Sequence, residues 1–272
     1  MAMKKRNPRT PGSRFQTYVS NDAITKKSPE RSLTKGLKKT GGRNAYGRIT
    51  VRHRGGGATR KYRIIDFSRA QRNVPGTIKS VEYDPNRNAH IALVVYQNGA
   101  KGYILMPADL SVGSVVYAGV DAEARVGNCT PLAHIPVGFN VHNIEIKPGS
   151  GGKLVRSAGA SAQLVAKKDN YATLKMPSGE MRMLHLQCWA TIGVLGNAEY
   201  KNISWGKAGR TRHRGIRPTV RGIVMNPVDH PRGGGEGLSK SGSFAGLSPW
   251  GKNTTGTRTR RRKNPLILKR RK

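Results

Sequence analysis

Lysine and arginine crowd the two ends of this chain and thin out between them. Residues 1–60 carry 16 Lys or Arg against 2 Asp or Glu, residues 201–272 carry 19 against 2, and the 140 residues between carry 15 against 10. So 31 of the 36 excess positive charges lie on two terminal segments that make up less than half of the sequence. Their own repulsion opposes close packing of such segments unless a polyanion neutralises them. The pattern predicts a nearly balanced folded body between two basic arms, in a protein built into nucleic acid.

The hydrophobic fraction of 36 % and the 34 glycines leave apolar material for a compact body, but not for a core running through all 272 residues. Cys129 and Cys188 stand 59 positions apart, neither a zinc-ligand spacing nor a disulfide framework, which predicts two small buried thiols in a reducing cytoplasm. The opening MAMKKRNPRTPGSRF (1–15) is basic with no apolar stretch behind it, unlike a secretory signal. No apolar run approaches membrane-spanning length, and neither arm has a periodic apolar face to insert into a bilayer. No membrane partner is expected.

Residues 1–60 read as an extended arm, interrupted by Pro8, Pro11 and Pro29, with KGLKKTGGRNAYGRITVRHRGGG (35–57) and no 3.6-residue apolar period. From Lys61 the texture changes. YRIIDF (62–67), GTIKSVEYD (76–84), HIALVVY (90–96), KGYILMP (101–107) and VGSVVYAG (112–119) are short β-branched and aromatic runs, and Asn98-Gly99 between two of them is a strong hairpin signal. They predict a small antiparallel barrel. A second series follows in PLAHIPVG (131–138), VHNIEIKPG (141–149), AQLVAKKDNYATLKMPSGEMRML (162–184) and ATIGVLG (190–196), with one helical turn expected near 185–189. Strand lengths and turn spacings restart after AEARVGNC (122–129), so two small barrels fit better than one sandwich. Beyond Asn197 periodicity fades, and the segment is expected to take its shape largely from a partner, with Val220, Ile223, Val224 and Met225 as anchors on the body.

Runs such as 258–263 and 269–272 are commonly solvated tails that add non-specific phosphate affinity. Glycine-interleaved basic segments are more informative: around Arg43, around Arg52 and Arg54, and from Trp205 to Arg210, glycine lets backbone approach phosphates that arginine forks then bind. KPGSGGKL (147–154) lacks Walker spacing and has Leu154 where a hydroxyl is needed, so a glycine loop offering amides to a nucleic-acid backbone is the better reading. No recognition helix, zinc finger or leucine heptad is visible, which favours irregular RNA over DNA. In NPVDHPRGGGEG (226–237), Asp229, His230 and Glu236 suggest orienter, base and acid, but adjacent residues seldom pair as a dyad and no Ser or Cys nucleophile stands beside them. An RNA-contacting loop is the expectation there. His90 and His142 fall in strand-like runs, while His134 and His185 have no ligand spacing, so no protein metal site is expected.

Several stretches together resemble the bacterial-type ribosomal protein L2 family along nearly the whole chain: GRNAYGRITVRHRGGGATRKYRIIDF (42–67), VEYDPNRNAHIALV (81–94), EARVGNCTPLAHIPVG (123–138), VHNIEIKPGSGGKLVRSAGASAQLVAK (141–167), RHRGIRPTVRG (212–222) and MNPVDHPRGGGEG (225–237). The resemblance implies an all-β fold of two consecutive small barrels, OB-like over 61–122 and SH3-like over 123–200, flanked by long basic non-globular extensions over 1–60 and 201–272. It implies a structural, non-enzymatic constituent of the large ribosomal subunit that binds large-subunit rRNA and supports subunit association, tRNA binding and the peptidyl transferase centre. Partners would be that rRNA, neighbouring ribosomal proteins and the small subunit across the interface, with no homo-oligomer. The setting would be a cytoplasmic ribosome, an organellar one being left open. No cofactor is implied beyond structural Mg²⁺ associated with rRNA phosphates.

Arg43, Arg52, Arg54, Arg210, Arg214, Arg217 and Arg221 are then candidates for neutralising closely spaced phosphates. Arg48, His53, Lys61, Arg63, Lys147, Lys153, Arg156, Lys207, Arg212 and His213 complete the candidate RNA-binding set. Asp229, His230 and Arg232 inherit a position supporting the peptidyl transferase region. One departure stands out: the family usually reads DHPHGGGEG, and Arg232 replaces its second histidine, exchanging a titratable ring for a fixed cation. The stretch 238–256 matches only loosely, and no contacts are assigned to it.

Overall fold

A computed structural model of the chain describes residues 3–235, 246–257 and 262–271. Glu236, residues 258–261 of the basic terminal run and Lys272 lie outside the described residues, as does most of the first half of 238–256. The architecture is all-β, with several sheets, one of them curled as a half-barrel. Two compact units are distinguished. One comprises the described parts of Met1–Lys38, Thr59–Ala208 and Pro265–Lys272, the other those of Lys39–Ala58 and Gly209–Asn264.

In the first unit, β1 (Met3–Lys5) pairs antiparallel with β2 (Thr17–Val19) across the short helix α1 (Pro11–Arg14), capped by the Thr10 hydroxyl on the Ser13 amide. Strand β3 (Thr34–Gly36) pairs with β4 (Lys61–Arg63). Strands β5 (Gly76–Glu82), β6 (Ile91–Tyr96), β7 (Lys101–Leu105) and β8 (Val115–Val116) form an antiparallel sheet in the order β7-β6-β5-β8. The run IALVVY explains this sheet. Successive side chains of a strand face opposite ways, so Ala92, Val94 and Tyr96 enter one cluster with Ile78, Val81, Ile104 and Val116, while Ile91 and Leu93 enter another with Ile65 and Tyr103. A strand apolar on both faces needs cover on both. Leu33 and Phe67 supply it on the second face.

The turn at Asn98-Gly99 forms as expected, with Gly99 at φ 78° and its amide donating to Tyr96 O at 2.9 Å. The N-terminal segment, expected as an extended arm, is partly held on this sheet. Thr25 N–H donates to Val81 O at 3.0 Å, Val81 N–H to the Thr25 hydroxyl at 2.9 Å, and Glu30 N–H to the Tyr103 hydroxyl at 2.7 Å. That hydroxyl in turn donates to the buried Glu82 carboxylate at 2.6 Å. Burial, then this bond to Glu82, pushes the Tyr103 phenol well above its usual value. Single anchors of this kind leave no period in a sequence.

The second series gives β9 (Cys129–Pro131), β10 (Asn140–His142), β11 (Ile144–Glu145), β12 (Gly152–Leu154), β13 (Ala162–Lys168), β14 (Tyr171–Lys175), β15 (Met181–His185) and β16 (Trp189–Ile192). With β17 (Ile267–Lys269) they form a seven-stranded sheet in the order β17-β15-β14-β13-β10-β16-β9, and β11 and β12 pair separately. The last strand comes from the terminal run read above as an arm, and it covers an edge of β15. Leu132, Ile135, Val141, Leu164, Leu174 and Leu184 head the core. The strand expected over 131–138 stops at Pro131, because Pro131 and Pro136 cannot donate to a ladder. The helical turn expected at 185–189 is instead a tight turn between β15 and β16, closed by Cys188 N–H on His185 O at 2.9 Å. Both cysteines are buried and unpaired, and burial raises both thiols, Cys188 to about 11.

The two series are tied by Cys129 N–H to Tyr117 O at 2.9 Å, Ala108 N–H to Val194 O at 2.8 Å and Gly152 N–H to Phe67 O at 2.9 Å. At this junction His142 is buried, with Nδ1 bonded to Gly193 O at 2.9 Å. Burial pushes its pKa down to about 4, partly offset by the Gly193 bond, with Arg69 lowering it further. In the unfolded chain the ring titrates near 6.5. Above that pH neither state carries the proton and the stability contribution is full. As pH falls from 6.5 towards 4 the unfolded chain takes up a proton that the folded one refuses, and up to about 3 kcal/mol is lost. Urea midpoints should fall across this window, and His142→Gln should flatten that part of the slope. An unchanged slope in the variant would assign the loss to other groups.

Candidate nucleic-acid interface

In the second unit, sequence-remote basic segments meet through backbone. Gly55 N–H donates to Gly215 O at 3.0 Å, Ala58 N–H to His213 O at 2.8 Å, and Arg217 N–H to His53 O at 3.0 Å. Glycine is required for this approach: a Cβ on Gly57, at φ 82°, would lie 2.7 Å from Gly215 N and 2.9 Å from His213 O. Gly42 is similarly constrained, since its Cβ would lie 2.2 Å from Val51 O. The result is a cavity of about 630 Å³ lined by Lys39, Arg43, Arg52, His53, Arg54 and Arg217 together with Gly41, Gly55 and Gly56. The Arg52 guanidinium stands 5.1 Å over the Trp250 ring, which braces it while leaving its donors for an anion. Lys39 Nζ donates to Gly57 O at 2.7 Å.

Arg48 lies outside this cavity, its amide held with that of Tyr46 by Asn44 Oδ1 at 3.0 Å. Helix α2 (Ala208–His213) carries Arg210, Arg212 and His213, followed by Arg214, and these with Arg221 also lie outside it. Most of these side chains are exposed, Arg210 being half-buried.

The loop bearing Asp229, His230 and Arg232 is folded on itself. Asp229 and His230 N–H both reach Asn226 O, and Gly234 N–H reaches Met225 O at 3.0 Å. His230 is buried, and its Nδ1 accepts the Arg232 amide at 3.1 Å, which places the proton of the neutral ring on Nε2. The ring lies against Gly222, where a Cβ would come within 2.4 Å of it. His230 therefore pins the loop, while Asp229 is exposed. Among the described residues no three His, Cys, Asp or Glu come together in a group able to hold a metal ion.

In the first unit, Lys153 and Arg156 share a cavity of about 580 Å³ with Arg87, Val155 and Met176. Arg156 and Arg87 stand 4.3 and 5.5 Å over the Phe67 ring, and Arg72 stands 4.3 Å over Trp189. Sequence reasoning missed Arg72 and Arg87; the only signal for Arg87 was its place in a proline turn. Asp84 is buried and ion-pairs with Arg87. Val155 has φ 53°, an outlier for a β-branched residue, immediately before Arg156. Arg63 is buried, with Nη1 donating to Lys61 O at 3.1 Å, whereas Lys61, Lys147 and Lys207 are exposed.

The glycine loop corrects one expectation. Its amides do not face outward: Gly149 and Gly151 N–H donate to the Glu145 carboxylate at 3.1 and 2.8 Å, joined by Trp189 N–H at 3.1 Å. An internal anion fills the nest that the sequence suggested for a phosphate. Lys147 and Lys153 are left as the outward charges of that loop.

Residues 30–118 match the family model described as Ribosomal Proteins L2, RNA binding N-terminal domain, and residues 125–251 match that described as Ribosomal Proteins L2, C-terminal domain.

Glu145→Gln puts an amide group where acceptors are needed and leaves backbone N–H groups in conflict with it. A loss of ~2 kcal/mol is expected locally, read as roughly 30-fold faster hydrogen exchange at Gly149 and Gly151. Unchanged exchange would mean that the carboxylate does not hold the loop.

Proposed function

With the chain belonging to the ribosomal protein L2 family, and thus being a structural, rRNA-binding constituent of the large ribosomal subunit, we propose that its basic cavities and arms grip folded rRNA at closely packed phosphates. The family's members are structural rather than catalytic. The observation that carries the proposal is the convergence of Arg43, Arg52, Arg54 and Arg217 from opposite ends of the sequence onto one cavity. Among the described residues no Asp or Glu lines this cavity, and fixed cations crowded in this way lower their mutual repulsion by taking up a polyanion. Arg210, Arg212, His213, Arg214 and Arg221 extend this grip, and Lys153 and Arg156 form a second one on the first unit.

The same reading assigns residues 61–122 to an OB-like and 123–200 to an SH3-like barrel, with 1–60 and 201–272 as RNA-threading extensions. It is supported by the four-stranded sheet preceding the seven-stranded one and by the charge at both ends. Ordering the extensions costs conformational entropy that charge-assisted bonds to phosphate offset. We assign the folded loop at Asp229, His230 and Arg232 to support of the peptidyl transferase region. Its buried ring suits a positioning role, and Arg232 would favour phosphate there. On the same reading the chain supports subunit association and tRNA binding and contacts neighbouring ribosomal proteins and the small subunit.

Filter binding to large-subunit rRNA over a salt series tests the grip. Arg52→Gln should lower the magnitude of the log–log salt slope by about 1 without abolishing binding. An equal loss on unrelated duplex would make Arg52 a general phosphate contact, and a loss confined to rRNA a specific docking residue. No change on either polymer would remove the cavity from the interface.

A further inference from the structure

One concavity of the first unit has the opposite character to the rest of the molecule. It encloses about 610 Å³. Its floor is the ladder that joins the two sheet systems, where Pro107 bridges Leu195 and Gly196 N–H donates to Met106 O at 3.1 Å. Its walls bring aliphatic surface from Leu110, Val112 and Val194. Lys and Arg make up 50 of the 272 residues, yet none of the residues lining this groove is either, and the two charged ones are Asp22 and Glu199. A phosphate backbone would meet apolar walls and like charge there.

Two buried polar residues also line the groove, each holding beneath its surface a hydrogen-bonding atom without a partner. His90 is 5 % exposed and its Nε2 has no hydrogen-bond partner. Burial lowers its pKa, so the ring is neutral. Asn197 is 8 % exposed; its Nδ2 donates to Asn88 O at 2.6 Å, and its Oδ1 has no partner. Buried polar groups of this kind are ordinarily satisfied.

We propose that this groove is the docking site for a basic, extended peptide segment of another protein, with an aliphatic side chain seated between Met106, Leu110 and Val112. Flanking Lys or Arg would pair with Asp22 and Glu199. Charge complementarity selects this occupant. The inference rests on the ribonucleoprotein reading in one respect only: a segment that must run among phosphates to reach the groove carries its own cations.

The test is fluorescence anisotropy with the full-length protein at about 0.15 M salt and three labelled peptides: leucines flanked by lysines, the same with serine for leucine, and the same with glutamate for lysine. The lysine–leucine peptide should bind at least ~10-fold tighter than either control, although it carries the same sign of charge as the protein. Ala108→Trp, which fills the groove from an exposed position, and Asp22→Lys combined with Glu199→Lys should each weaken it at least ~5-fold. Ala108→Trp should leave the urea midpoint and rRNA affinity unchanged, so it decides the matter if the charge-reversed variant fails to fold. Tighter binding of the glutamate peptide, or indifference to Ala108→Trp, would overturn the proposal. A loss of rRNA affinity in Ala108→Trp would make the groove a nucleic-acid surface, and self-association abolished by that variant would make it a homodimer contact; either overturns it. Peptide binding retained in a protein that does not bind rRNA would instead overturn the rRNA reading.

Discussion

Three of the few acidic side chains, Glu82, Asp84 and Glu145, are almost completely buried, and the bonds they accept tie separate segments of the first unit together. Glu145 gathers three backbone amides from the glycine loop and β16. Glu82 takes the Ser80 and Tyr103 hydroxyls, and Tyr103 then accepts the amide of Glu30 from the N-terminal segment. Asp84 takes the Asn86 amide and the Arg87 guanidinium. A buried carboxylate is costly unless it is well bonded. Each of these is placed where several donors converge. With these acids inside the fold, fewer remain to pair with the outer cations, as suits a polyanion binder.

Several arginines are braced on aromatic rings rather than merely exposed. Arg52 rests over Trp250, Arg156 over Phe67 and Arg72 over Trp189. A guanidinium held flat on a ring loses less rotamer freedom when it binds. Phe67 does double duty, covering the first sheet and supporting Arg156. Core packing and the presentation of charge are thereby coupled through one side chain. The same economy holds at His230, whose ring occupies the space that Gly222 leaves empty and holds the loop of Asp229 by bonding the Arg232 amide.

Much of the strand pattern was legible because it depends on neighbours in sequence. The alternation in β5 and the apolar run of β6 identify themselves, and Asn98-Gly99 marks its turn. What was misread depends on a distant partner. Nothing local says that the amides of KPGSGGKL would turn in to Glu145, that residues 267–269 would complete the edge of β15, or that Arg63 would be buried. Arg87 was overlooked because its value lies in Phe67, twenty positions away and packed beneath it.

Sequence alone determined the all-β character, the polyanion as partner and the family, because these follow from composition, two-residue periodicity and contiguous motifs. Tertiary structure alone decided which cations converge. Arg54 and Arg217 are 163 positions apart, and only the backbone bonds between 53–58 and 213–217, permitted by glycines with no Cβ to keep the strands apart, bring them to one cavity. It also decided where charge is withheld. The acidic, aliphatic groove is assembled from segments near residues 22, 90, 110 and 197, and its lack of cations is a property of their juxtaposition that no single stretch of the chain contains.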